Sequence, residues 1–490
     1  MTFTNQMPRF EVLSAEDLEQ IDHAWRRLVS EVGIQFDEPR AVELFRAAGQ
    51  EVDGDRVRLD PDFVMEQVAL APEQFSMRAR NPEHDLHIGG RSMIFAPAQG
   101  PPFVREGAER RPGTLGDLQR LIMLTESFDE LDTPGGNICE PDDVPLDSRH
   151  LVQNLALILL SDKVFEGVPI SRMAAEDSVR MGEILFGGAD ITEQPVMFGN
   201  VNVNSPLRYD VRMLEAMIAF SEARQAVIVT PFLLMGAMAP VTVAAALAQQ
   251  TAEVLAGIAL LQLVSPGTPA IMGSFLSATD MRSGSPTFGG PESAVGLYAS
   301  GQIARRYRLP WRAGGGTLTS SPLPDAQAAY EALNTLTSAF LAGANVVWQA
   351  AGWLEGGLVT CFEKFMIDID LLQTLRHQFQ PIQIDEATLA FDAHVEVGPG
   401  GHFFGAQHTL ERFRDCFHRP LIATSDGFER WTTNGAQDTA DRAARAWRDV
   451  LDRYERPPLD EAVREELLEF VERRTRELKD PLFPLNGLLG

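Results

Sequence analysis

From about residue 92 the chain repeats one pairing of patterns. A short apolar run ends in Gly, Pro, Asn or Ser, and a stretch with apolar positions every three or four residues follows it. The run has the pattern of a strand buried on both faces, and the stretch that of an amphipathic helix laid over it. Eight such runs lie at 93–97, 130–137, 164–170, 196–204, 226–232, 269–275, 311–317 and 345–352. Their helices fall near 114–126, 147–160, 173–187, 209–222, 241–263, 291–306, 325–341 and 362–378. Eight βα units is the count that closes a parallel barrel, so the spacing predicts an α/β fold, a TIM (β/α)8 barrel over residues 92–380. The second and third runs are the weakest of the eight, and an open doubly wound sheet fits the same order of elements.

The flanks follow other patterns. Residues 1–91 read as an N-terminal accessory region of helices and a hairpin. Ser14 stands as N-cap of the first helix and Pro39 near the start of a second. Turn residues at 53–55 join two short strands, Pro61 opens a third helix, and Asn81-Pro82 marks a turn. Residues 381–490 read as a Gly-rich loop, Val397-Gly-Pro-Gly-Gly-His402-Phe-Phe-Gly-Ala-Gln-His408, followed by a helical cap with charged helices at 439–454 and 459–478.

Ligands of parallel α/β folds sit at the carboxyl ends of the strands. The fourth run ends in Asn200, Asn202 and Asn204, which period two places on one side of the chain. Facing a barrel interior, they form a line of neutral donors and acceptors; as turn and capping residues they serve the backbone instead. Tryptophan is scarce, six in 490 residues, yet Trp311, Trp348 and Trp353 lie in or beside the last two runs. Phe103, Phe232, Phe275 and Phe288 fall at or after other strand ends. Aromatic faces with a nearby carboxylate, here Glu355, suit a quaternary ammonium ion, which cannot donate hydrogen bonds. Taken singly, Trp311 and Trp348 read as ordinary core residues, whereas Trp353, after a strand end and beside Glu355, leans toward a site. Gln99 follows the first run and Arg312 lies in the seventh, so both add polar groups near strand ends.

Composition narrows the classes. The formal net charge of −27 argues against nucleic acid and anionic membranes as partners. Three well-separated cysteines form no disulfide framework or CxxC motif, and no basic and apolar leader opens the chain, so a cytoplasmic protein is expected. The apolar stretch 241–264 carries Gln249, Gln250, Glu253 and Gln262, and reads as a buried helix rather than a membrane span. No P-loop, GxGxxG or Gly-x-Ser-x-Gly elbow is present. His402 and His408 are the closest useful histidine pair; with no cysteine beside them no metal site is expected, and local hydrogen bonding or contact with a ligand at the barrel mouth are the readings left.

Several stretches together resemble one family: Asp325-Ala-Gln-Ala-Ala-Tyr-Glu331, Leu341-Ala-Gly-Ala-Asn345, Phe362-Glu-Lys-Phe-Met-Ile-Asp368, and above all Gly398-Pro-Gly-Gly-His-Phe-Phe-Gly-Ala-Gln-His-Thr409. With the tail pattern Trp431, Gly435, Asp438, Arg442, the chain is similar to the trimethylamine methyltransferase superfamily along nearly its whole length. The resemblance implies a TIM barrel that takes a methyl group from an amine and passes it to cob(I)alamin. That cobalamin is carried by a separate corrinoid protein, so no cofactor is held tightly by the barrel itself. The founding members carry pyrrolysine; this chain has only standard residues and resembles the pyrrolysine-lacking branch, which includes glycine betaine enzymes. Demethylating a quaternary amine leaves a neutral amine and needs no general acid, in keeping with the lack of an obvious acid–base pair. The competing readings are the same barrel with a folate or thiol acceptor, and a non-catalytic betaine-binding protein. A homo-oligomer through the tail helices fits the sequence as well.

Overall fold

A computed structural model describes residues 2–480. Its centre is a run of parallel strands, each an apolar stretch covered by a helix. These are β1 (Ser92–Phe95), β2 (Phe165–Glu166), β3 (Met197–Val203), β4 (Ala226–Met235), β5 (Ala270–Thr279), β6 (Trp311–Ala313) and β7 (Val346–Val347). In space the order is β1-β7-β6-β5-β4-β3-β2, so the first strand lies beside the last. Register runs smoothly across it: Phe198 pairs with Ala226, Ile228 with Ile271, Met272 with Trp311, and Val346 with Ile94.

Between β2 and β1 lies the second predicted run, and here the expectation needs correcting. Residues 130–137 form no continuous strand. Gly135 makes one parallel bridge to Phe165, and the Asp132 amide donates to the Phe95 carbonyl at 2.9 Å. The third run is likewise shorter than read, two residues instead of seven. Polar Asp132 and Glu166 interrupt the apolar pattern at these places, and both turn their side chains to specific tasks. The Asp132 carboxylate accepts from the Phe95 amide at 2.9 Å. At the amino end of β1, Phe3–Thr4 adds an antiparallel strand.

The eight helices that follow the runs lie where the apolar periodicity puts them, from Leu115–Glu126 to Phe362–Gln378. The longest, Val243–Val264, is long and apolar enough to cross a membrane by length and composition, but it is packed on nearly all sides inside the protein. Its buried Glu253 accepts from Ser205 Oγ and the Leu207 amide, both at 2.7 Å. The N-terminal elements match the reading closely: Ser14 caps Ala15–Arg27 in a capping box with Asp17, and strands 51–53 and 56–58 form the hairpin. The small hairpin Phe75–Met77 with Leu86–Ile88 packs apolar residues against Ile94, Ile228 and Ile271, near the amino ends of the parallel strands.

A second, unpredicted sheet stands over the carboxyl end. Strands 353–354, 359–361, 103–106 and 109–112 form it, built from the loops after β7 and β1. The tail helices Thr439–Leu451 and Glu461–Glu477 pack on outer helices, with Trp447 Nε1 donating to Glu363 at 3.3 Å and Arg474 pairing with buried Asp177 at 2.9 Å. The stretch between, 381–430, holds short helices and leaves Ile382, Phe391, Phe404, Phe417 and Phe428 exposed.

Candidate functional site

Strand alternation sets the inner face. On β3, Phe198 points inward and packs edge-on to Trp348, with ring centroids 5.3 Å apart, among Ala96, Val164, Ala226 and Ile271. That buried layer is a floor, and polar side chains gather beside it. Trp348 donates its indole N–H to the carboxylate of Glu166 at 3.3 Å. Gln99 is a second hydrogen-bond partner of Glu166, while its own Oε1 is buried without a partner. Burial pushes the Glu166 carboxyl up to about 8, against the opposing pull of Gln99, Trp348 and the positive charge of Arg312.

Arg312 projects inward from β6 and is 2% exposed. Its guanidinium donates to the Ser274 carbonyl at 3.3 Å and to Gln349 Oε1 at 3.2 Å, and its Nε has no partner. Among the described residues no carboxylate lies within 4.0 Å of it. Burial lowers it to about 10, with Glu166 acting the other way. A buried guanidinium with two long hydrogen bonds and no ion pair within 4.0 Å has donor capacity left for an anion.

The aromatic part begins at the same arginine. Its guanidinium lies 5.6 Å from the Phe275 ring. Phe275 contacts Phe232, Phe288 and Trp353 at centroid distances of 5.0, 5.7 and 6.1 Å, and Phe288 meets Trp353 at 5.6 Å. Ala98 and Leu318 complete this cluster, and the Trp353 indole N–H is buried with no partner.

Backbone strain marks the same region. Gln349, just beyond β7, sits at φ 60°, a left-handed conformation that costs a residue with a side chain on the order of 1 kcal/mol. It is held there from several sides. The Thr317 amide and hydroxyl both donate to its carbonyl, at 2.6 and 3.1 Å, and its own amide donates to Pro97. Thr317 is held in turn by Asp368 at 2.8 Å, which also accepts from the Gly352 amide at 2.8 Å and pairs with Lys364. Asp368 and Lys364 are four apart on one helix and both buried, so this ion pair ties the loops after β6 and β7 to the helix behind them. Gly316 allows the approach: a Cβ there would meet the Gln349 carbonyl oxygen at 2.1 Å.

The residues singled out from sequence separate into groups. Gln99, Arg312, Trp348 and Trp353 come together, with Trp348 as floor and not as wall. Asn200 is buried on the inner face and accepts from Thr230 Oγ1 at 3.2 Å. Asn202 is exposed. Asn204 binds the Asp210 amide at 2.9 Å and its carboxylate at 3.1 Å, so it orders the turn into helix Val211–Glu222. Glu355 is paired with Arg110 at 2.9 Å, and Arg110 covers the ring of Phe103 at 3.8 Å; Phe103 and Arg110 lie in the outer sheet and Glu355 in the turn after its strand 353–354. His402 is exposed beside Phe404, and His408 lies in a cleft with Glu386, Phe391 and Glu411, so both sit in the 381–430 stretch. The group with metal-ligand spacing among the described residues is instead His84, Glu126 and Asp162, where Arg80 and Lys163 already supply positive charge.

Glu166 and Gln349 were missed. Glu166 had a signal, a carboxylate inside the apolar run Val164-Phe-Glu-Gly-Val. Gln349 had none, because a left-handed residue without glycine is invisible in sequence.

Chemically, the cluster offers one cation, one neutralised carboxyl, two amides and four aromatic rings. Cys139 and Cys361 are buried outside it, their thiols pushed up by burial, so neither is a ready thiolate. A zwitterion fits: an anionic pole on Arg312 and a methylated cationic pole on the rings.

The model of the family described as trimethylamine methyltransferase matches residues 1–479. The chain is 39% identical over 474 residues to the glycine betaine methyltransferase of Desulfitobacterium hafniense (strain Y51), covering 96% of this chain and 98% of the relative. It is 28% identical to the proline betaine:corrinoid methyltransferase of Eubacterium limosum, over 91% of this chain and 94% of that one. Among solved structures it resembles the hydroxylamine complex of MtmB, with a TM-score of 0.51 at 11% identity, covering 94% of this chain and 89% of the other.

Proposed function

This chain belongs to the trimethylamine methyltransferase family, and on that premise we propose that it removes a methyl group from a quaternary ammonium carboxylate, glycine betaine or a close analogue, and delivers it to cob(I)alamin on a separate corrinoid protein. The observation that carries the choice of substrate is Arg312, buried without an ion pair against the ring of Phe275. A carboxylate on Arg312 and a trimethylammonium group over Phe275, Phe288 and Trp353 use both features at once. Two relatives whose names carry glycine betaine and proline betaine support that class.

The fold proposed for this work is a (β/α)8 barrel closed through residues 131–136, which accounts for β1 and β7 being neighbours and for the bridge at Gly135. Methyl transfer from a quaternary amine is a displacement at carbon, and the amine leaves neutral. The corrinoid supplies the nucleophile; the barrel supplies position. Arg312 fixes the carboxylate, the aromatic faces hold the cation without hydrogen bonds, and the strained Gln349 loop keeps Arg312 aimed inward. Burial of the cluster excludes water, which strengthens each of these interactions.

Calorimetric titration with glycine betaine, proline betaine, carnitine, choline, dimethylglycine and trimethylamine tests the reading. Saturable binding confined to quaternary ammonium carboxylates is expected. Preference for trimethylamine or choline over every carboxylate would overturn it.

A further inference from the structure

We infer that Glu166 is a proton-exchanging counter-charge for the ligand: uncharged in the free protein, ionised when a quaternary ammonium group lies beside it, so that ligand uptake releases a proton. This rests on the quaternary-amine reading and adds to it a residue and a linkage that the overall reaction does not require.

The geometry leaves the carboxyl of the free protein poorly supported as an anion. Glu166 is 1% exposed. Its register partner is Phe198, and Gly136 packs against its stem, where an added Cβ would lie 3.3 Å from the Glu166 Cβ. Its hydrogen-bond partners are both neutral, the Trp348 indole at 3.3 Å and Gln99. Gln99 shows which way it is turned: with Oε1 orphaned, its NH2 is the end that faces Glu166. The charged group acting on Glu166 is Arg312, and Arg312 spends its donors on Ser274 and Gln349 rather than on the carboxylate. Phe198, Gly136, Gln99 and Trp348, which face it from the other elements, carry no charge. Two neutral donors do not offset the loss of water around a buried carboxylate, so the proton stays on.

A quaternary ammonium changes that balance because it has no proton to give. Only an anion or a π face stabilises it. Arg312 is the charged group that acts on Glu166 and also the one beside the Phe275 ring, so a betaine with its carboxylate on Arg312 carries its cationic end into the same cluster. For a cation that approaches the carboxyl to about 5 Å at an intermediate effective dielectric, the attraction favours the ionised form by on the order of 100-fold. The same arrival of ligand carboxylate takes up the charge of Arg312. The pocket therefore goes from one net positive charge to none, with the proton passing from the Glu166 oxygen to solvent.

The size of the linkage follows from the carboxyl standing at about 8 in the free protein. If the bound form is ionised throughout, affinity for glycine betaine rises about 50-fold from pH 6 to pH 8. At pH 7 close to one proton is released per ligand bound. The test is titration calorimetry of the full chain at pH 7 in buffers of low and high ionisation enthalpy. Two ligands are compared, glycine betaine and its uncharged-headed isostere 3,3-dimethylbutyrate. Wild type should release about one proton with betaine and none with the isostere. Glu166→Gln, with folding checked by circular dichroism, should release none with betaine and lose the pH dependence. Betaine binding without proton release, or equal release by Glu166→Gln, overturns the inference and leaves the functional reading standing. Failure of every quaternary ammonium to bind overturns both.

Discussion

Replacing Arg312 by Met removes the guanidinium and nearly preserves the volume. The lost donors serve only the Ser274 carbonyl and Gln349 Oε1, at 3.3 and 3.2 Å, both longer than a charge-assisted bond of about 2.8 Å. The folded state therefore loses little, and it sheds a buried charge that forms no ion pair, with Glu166 acting on it only at a distance. The melting temperature should stay level or rise. For a ligand carboxylate the loss is large. Leaving that carboxylate buried and unpaired costs about 2–5 kcal/mol, so glycine betaine affinity should fall by about 30-fold to several thousand-fold. Choline has the same cationic head and no carboxylate. It is repelled by Arg312, so Arg312→Met should bind it as well as wild type or better. The assay is paired calorimetry with both ligands on one preparation, where the ratio of affinities cancels any loss of active protein. Equal weakening for betaine and choline would refute the argument, because it would mean that Arg312 only maintains the shape of the pocket.

Trp353→Leu keeps an apolar side chain next to Phe275 and Phe288 but removes the π face; betaine affinity should drop about 10- to 30-fold, while Trp353→Phe retains most of it. A similar loss in both variants would point to packing alone. Lys364→Met leaves Asp368 buried without its partner and should cost about 3–5 kcal/mol in urea denaturation, whereas the double change Lys364→Met with Asp368→Leu recovers part of it. No recovery would show that the two residues act separately. Asn204→Ala removes the bonds to Asp210 and should cost about 1 kcal/mol of stability with betaine affinity unchanged. A clear loss of affinity would return Asn204 to the site.

What could be read in the sequence follows from where local rules dominate. Helix placement was legible because apolar periodicity, Ser14 and Pro39 all act locally. Residues 130–137 were misread as a strand because the Asp132 and Gly135 positions obey the geometry of their neighbours, not their own propensity. Period two put Asn200, Asn202 and Asn204 on one side of the chain, but it says nothing of how far a strand reaches: Asn200 is buried on the inner face with Phe198, while Asn202 and Asn204 lie past the enclosed part. The pairing of Glu355 with Arg110 joins residues 245 apart in the chain, so its diversion from the aromatic cluster had no local trace. Trp311, Trp348 and Trp353 stand out together in the sequence, yet only packing separates Trp348, against Phe198, from Trp353, against Phe275 and Phe288.

The most direct measurement is product analysis of a complete reaction. The chain would be mixed with glycine betaine and a corrinoid protein held in the cob(I)alamin state, and dimethylglycine would be followed together with methylation of the corrinoid. The account predicts dimethylglycine and methylcorrinoid in equal amounts, with trimethylamine unreactive and Arg312→Met strongly impaired at low betaine. Binding of betaine with no dimethylglycine formed, or demethylation of trimethylamine in preference to betaine, would contradict it.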